Sequence, residues 1–206
     1  MNDAPASIRT RTRVGWTVRL VGLALALWLG LGPHSRTLLE AMVPWQASVL
    51  SALMPEFHTH RFGLVERGAQ LKLSATLVNR RYIVMQGRAV APGMGFDVET
   101  PARTGLLYPT LVLIGLAVAW PAGSARGVRA RALVLGWAGA LVMAVASQPL
   151  VMAGEIWGLG IGAAEEPTLA AAMVTASGFL LHGGGFALCA ALVWSITRAQ
   201  RPASTS

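Results

Sequence analysis

Residue types that could do chemistry gather in three places. Glu56, His58 and His60 form an E-x-H-x-H pattern. On an extended strand, residues two apart share a face. All three side chains would then converge on one ion, as a zinc or copper site requires. No fourth ligand can be named, and a polar strand edge would carry the same letters. His182 stands in the apolar stretch LLHGGGFALC. An ionisable residue inside a membrane helix is a functional candidate by default. Gly183, Gly184 and Gly185 take side chains away beside it, so another helix can come close and accept a hydrogen bond from a neutral imidazole. Cys189 lies two turns further on, about 10 Å away along an ideal helix. That is beyond hydrogen-bond reach, so the two do not make a nucleophile–base pair.

The third place is Ser147-Gln148-Pro149, with Glu155 and Trp157 just beyond. A proline inside a helix bends it and leaves a carbonyl unpaired, which a donor such as Gln148 on a second copy, or a water, could meet. The segment suits either a docking surface for a partner helix or a routine kink beside an interfacial Trp. The glycines of GLGIG (158–162) follow no strand pattern and make no nucleotide loop. The chain has no Walker A, GxSxG, HExxH, DxD, CxxC or haem-attachment motif, so no cofactor is expected. Cys189 is the single cysteine, so no internal disulfide can form.

These residues sit in a chain whose charges are segregated. Of 206 residues, 54% are hydrophobic and 13% charged, against about 25% charged in a typical soluble domain. Charge crowds into 1–19, 34–103, 126–131 and 198–201. A bilayer imposes such segregation, because a charge at its centre costs at least about 2.5–3.5 kcal/mol. The net charge is +8, and every basic residue except Lys72 is Arg. The arginines mostly flank apolar runs, and no long basic run interleaved with aromatics exists, which argues against nucleic acid as a partner.

The expected elements follow. Residues 1–13 form a cytoplasmic tail and 14–32 a first, uncleaved span, with Arg19 snorkelling to the headgroups. An insert at 33–103 opens with an amphipathic segment, 36–54, interrupted or kinked at Pro44. That segment lies on the outer membrane face or against the bundle, or packs as an ordinary helix in the core of the insert. In 56–100 the period changes: Leu71, Leu73, Ala75 and Leu77 alternate with polar residues, predicting a small antiparallel unit of two to four strands. Further spans are expected at 105–120, 132–153 and 169–196, joined by loops at 121–131 and 154–168 and followed by a tail at 197–206. The fold class predicted is an α-helical membrane protein of about four transmembrane helices, with a small β-containing extracytoplasmic insert between the first two.

Orientation follows from the arginines. Segments 1–13, 121–131 and 197–206 hold eight Arg and one acid, Asp3, whereas 154–168 holds three Glu and no base. The positive-inside rule places both termini in the cytoplasm. The insert carries eight basic residues against five acidic, and the rule is weak for translocated segments of that length.

The order of parts has a familiar look: SALMPEF ending the amphipathic stretch, VERGAQLKLSATL in the β segment, YPTLVLIGLAVAWP, an Arg-rich turn, then LGWAGALVMAVASQPLVMAGEIW. Over about residues 15–197 the chain resembles the small exosortase-associated membrane proteins, in particular the exosortase H-associated family. The resemblance implies an accessory role in protein sorting or surface-polymer export in a Gram-negative inner membrane, with an exosortase as partner. Exosortases themselves carry a catalytic Cys with Arg and His near the extracytoplasmic face. Cys189 falls on the cytoplasmic side and no Arg lies inside the later spans, so this chain is not read as the transpeptidase. Two functions are weighed: a non-enzymatic membrane scaffold, and a small membrane enzyme or transporter subunit using His182 with Gln148, Glu155 or the E-x-H-x-H group. A ligand sensor built on the β unit would lack a cytoplasmic output domain.

Overall fold

A computed structural model describes residues 34–85, 88–118, 126–159 and 167–198. The expected cytoplasmic tails and the first span, 14–32, lie outside them.

Residues 34–53 form helix α1. Leu39, Gln46 and Leu50 are buried and Val43 and Leu53 pack beside them, one stripe at the spacing of an amphipathic helix. The stripe lies against the β unit. The helix packs against the β unit and, through Gln46, against the helical layer as well. The helix continues through Pro44 without a break.

Five strands follow, one more than the upper expectation: β1 (Phe57–Arg67), β2 (Gln70–Asn79), β3 (Ile83–Met85), β4 (Arg88–Val90) and β5 (Gly95–Pro101). They make an antiparallel sheet in the order β1-β2-β5 and a separate β3–β4 hairpin. Gly68, at φ 61°, takes the left-handed conformation in the tight turn joining β1 to β2. Alternation along β2 puts Leu73, Ala75 and Leu77 on the inner face. Phe57 meets Phe96 edge to face at 5.8 Å. Ion pairs tie the outer side, Arg67 to Glu99 at 2.9 Å and Lys72 to Glu99 at 3.2 Å, and Arg36 of α1 pairs with Glu66 at 2.7 Å.

Among the described residues four more helical segments follow: α2 (Thr104–Val118), α3 (Arg126–Gly158), α4 (Pro167–Phe179) and α5 (Gly185–Arg198), with a π-helical turn at Leu180–Gly184 joining the last two. Two hydrophobic cores result. The first joins α1, the sheet, the end of α3 (Met152, Ala153, Ile156, Trp157) and Ala170 of α4. The second joins Tyr108, Val112 and Leu116 of α2, Ala132 and Ala140 of α3, and Cys189 and Ile196 of α5.

The four-span expectation is corrected by this arrangement. Among the described residues, two helical stretches are long and apolar enough to cross a membrane, Ala130–Gly158 and Leu169–Arg198. Helix α2 has 15 residues, about 22 Å at 1.5 Å per residue, short of a hydrocarbon core of about 30 Å. The expected span at 132–153 is the middle of a 33-residue helix whose last turns pack on the sheet. The expected span at 169–196 is broken at the π turn. The molecule is a mixed helix-and-sheet protein in which the β unit shares a core with the helices.

Candidate functional site

The E-x-H-x-H residues do not converge. Glu56 lies in the turn before β1 and its carboxylate is held by Arg81. His58 pairs opposite Val78, but the register slips between Thr59 and Arg61, so that His60 sits in a bulge. An inserted residue ends the strict two-residue alternation, and with it the shared face that the metal reading needs. Among the described residues no group of three His, Cys, Asp or Glu could hold a metal ion.

His182 is exposed, and its Nδ1 donates to the carbonyl of Gly178, one turn back, at 2.7 Å. It serves its own helix rather than a neighbouring one. The chain leaves helical geometry here: His182 has φ −90°, ψ 22° and Gly183 has φ 93°, ψ 1°. A residue with a Cβ is strained at that φ, so Gly183 permits the break. Gly184 and Gly185 are buried. The ring of Phe179 occupies the space where a Cβ on Gly184 would go, and the ring of Tyr108 does the same at Gly185. Tyr108 of α2 thereby reaches the turn, and its hydroxyl donates to the carbonyl of Leu180 at 3.0 Å. The thiol of Cys189 lies 3.5 Å from the carbonyl of Tyr108, a weak contact within the second core.

Gln148 makes the densest set of polar contacts in the helical layer. Its Oε1 accepts from the hydroxyl of Thr100 on β5 at 2.5 Å, and its Nε2 donates to the hydroxyl of Thr104 at the start of α2. Thr104 in turn donates to the carbonyl of Pro101 at 2.7 Å. One buried amide thus clasps α3 to the strand–helix corner between β5 and α2. The sequence offered Gln148 as a donor to the proline-freed carbonyl of a second copy, whereas its partners are 44 and 48 residues away in the same chain. A turn earlier, Gln46 of α1 donates to the carbonyl of Ala144 at 2.8 Å. Glu155 stands apart, exposed near the end of α3.

Beside this clasp is a cavity of about 90 Å³. Its walls come from Thr100 and Pro101 of β5, Thr104 and Tyr108 of α2, Ser147, Gln148 and Val151 of α3, and Leu180 and Leu181 of the π turn. No wall residue is charged. Ser147 is 4% exposed and its hydroxyl has no hydrogen-bond partner among the described residues. The arrangement can bind a neutral polar group. It offers no nucleophile–base pair.

Charge is concentrated on the sheet. Hydrogen bonds from Arg67, then from Lys72, hold the Glu99 carboxyl below the usual carboxylate range.

Sequence reasoning picks out Ser147 and Gln148 but misses Thr100, Thr104 and Tyr108. The available signal is the pair of threonines four residues apart, Thr100 and Thr104, around the Pro101 corner between strand and helix. Comparison of the chain with protein-family models, curated proteins and solved structures returns no match.

Proposed function

We propose that the chain is a non-enzymatic accessory protein of a bacterial inner membrane, which holds a membrane-protein partner through its helical layer and its β unit. One observation carries the reading. In the two long apolar helical stretches, only 28% and 33% of the most apolar window is buried within the molecule. Core helices of water-soluble domains are covered by their own protein. Here Val134, Trp137, Leu141, Val142, Phe186 and Trp194 stay exposed, and large apolar side chains exposed together mark interaction or membrane surfaces.

Two features agree with a lipid surround. The helices meet through small residues, as membrane helices do: a Cβ on Gly136 would strike Leu116, and one on Gly139 would strike Leu192. Arg126, Arg129 and Arg131 at the start of α3 and Arg198 at the end of α5 mark one end of these helices. Glu155 falls near the other. The positive-inside rule then puts the arginine end in the cytoplasm and the β unit outside. The resemblance to exosortase-associated proteins supplies the partner class, so the partner expected is an exosortase working in protein sorting or surface-polymer export.

Alkaline carbonate treatment of membranes tests the location: the chain should stay in the pellet, and its release would overturn the reading. A reporter inserted after residue 75 should be active outside the cytosol, and activity inside would reverse the orientation. Co-purification with an exosortase encoded beside it tests the partner. An intact membrane protein that never retains that exosortase would remove the sorting role.

A further inference from the structure

We propose that the cavity beside Gln148 is a binding site for a neutral hydroxyl group, supplied either by water or by the alcohol end of an amphiphile. The size fits. At roughly 30 Å³ per molecule of liquid water, the 90 Å³ cavity takes a few waters, or an alcohol head with its first methylenes. The polar groups fit as well. Ser147 Oγ lies unpartnered in a wall residue that is 96% buried by its 4% exposure. Buried polar groups of this kind are normally satisfied.

The neighbouring groups define what can satisfy it. Tyr108 has committed its hydrogen to Leu180, so its oxygen can only accept. Gln148 Oε1 already accepts from Thr100 and keeps one lone pair. A ligand hydroxyl can accept from Ser147 and donate to either oxygen, using both of its capacities at once. An ion would find no opposite charge among the walls, and burying an unpaired charge is prohibitive. The site therefore selects a neutral O–H over a carboxylate or an ammonium.

The opening favours one route. Of the wall residues, only Pro101 and Leu181 are exposed. Leu181 is an exposed apolar residue, as are Phe179 and Phe186 of the same broken helix, so an acyl tail could leave past Leu181. The break in the helix at His182 and Gly183 leaves Leu180 and Leu181 in this wall. The hydroxyl site stands without the membrane reading; only the amphiphile as its source rests on it.

The test uses the full chain purified in detergent micelles, with Ser147→Ala, which removes one oxygen, and Ser147→Thr, which keeps the hydroxyl. Thermal unfolding is followed with octan-1-ol, sodium octanoate or octane added, and water contacts at Ser147 are read from water–protein NOEs. If the amphiphile is the source, octanol raises the midpoint in wild type and Ser147→Thr, the apparent affinity falls about tenfold or more in Ser147→Ala as one buried hydrogen bond is lost, and octanoate and octane do nothing. If water is the source, octanol has no specific effect, and long-lived water contacts present in wild type vanish in Ser147→Ala. If octanol and octanoate act alike in all three proteins, or if neither an alcohol effect nor a water contact depends on Ser147, the site is overturned, whether or not the chain proves to be a membrane protein.

Discussion

Along one helix, α3, the chain does two different things. From Ala132 to Ala144 it buries every fourth residue (Ala132, Gly136, Ala140 and Ala144) and leaves the bulk between them outside, with Val134 67% and Leu141 61% exposed. From Ser147 to Trp157 it buries almost everything, with Ile156 at 0%, and turns out mainly Glu155. Both halves are apolar, so composition does not separate them. What separates them is the surface they meet. The first half touches α2 and α5 along a narrow seam, where glycines and alanines let backbones approach. The second half is enclosed by the sheet, α1 and α4. Water expulsion drives the second kind of packing. Close van der Waals fit, with the large side chains turned away, is the membrane kind. Gln148 and Pro149 stand at the change-over, and the clasp to Thr100 and Thr104 fixes where one regime ends.

The sharpest way to break this contrast is to empty the enclosed half. Ile156→Ala should cost about 2–5 kcal/mol, the range for truncating a fully buried Ile, read as a lowered midpoint in chemical or thermal unfolding of the full chain. Near-native stability would mean that the end of α3 is not part of the sheet's core. The seam half should fail by the opposite route, through excess volume. At Gly136 a Cβ already meets Leu116, so Gly136→Leu should cost about 1–3 kcal/mol by overpacking and reduce helix association. Gly136→Leu leaving stability unchanged would remove the close-approach account of α2 and α3.

How much of this was legible beforehand depends on the distance between partners. The alternation of Leu73, Ala75 and Leu77 is a local pattern, and it foretold the inner face of β2. The four-residue spacing of Ala132, Gly136, Ala140 and Ala144 was equally available but went unread, because hydropathy averages a helix and discards its seam. Hydropathy also cannot tell a helix apolar toward lipid from one apolar toward a sheet, so 132–153 was drawn as a plain span and its docked end was missed. The bulge at His60 moved the proposed ligands apart by a slip that no residue type announces. The break at His182 and Gly183 had a signal in three successive glycines, which was taken for close packing alone. The partners of Gln148 lie dozens of residues away, and nothing in its neighbourhood names Thr100 or Thr104.

The sheet side of the contrast carries charge, and this predicts a pH dependence. Because Arg67 and Lys72 hold Glu99 below its ordinary range, its pairing contributes stability above the unfolded-state pKa. That contribution is lost as pH falls through the depressed folded-state value. Glu99→Gln should therefore be less stable than the parent at neutral pH, and the two should converge in acid, measured as paired unfolding midpoints across an acid titration. The side chain of Glu99 is partly exposed, so added salt should shrink the neutral-pH difference. A gap that widened in acid would show the pairing to have the wrong sign.

The smallest expected effect says most about the seam half of α3. Leu141 is as large as any core leucine and occupies the same helix as Ile156, yet its side chain points away from α2 and α5. If that surface meets detergent or lipid, shortening the side chain exchanges one apolar surround for less of the same. Leu141→Ala in micelles should then stay within about 0.5 kcal/mol of the parent, as substitutions outside packed regions do. A loss approaching that of Ile156→Ala would mean that Leu141 is covered by protein, either a second copy or a partner retained through purification. Repeating the measurement across a dilution series separates those two, since only a self-association contributes stability that falls as the protein is diluted.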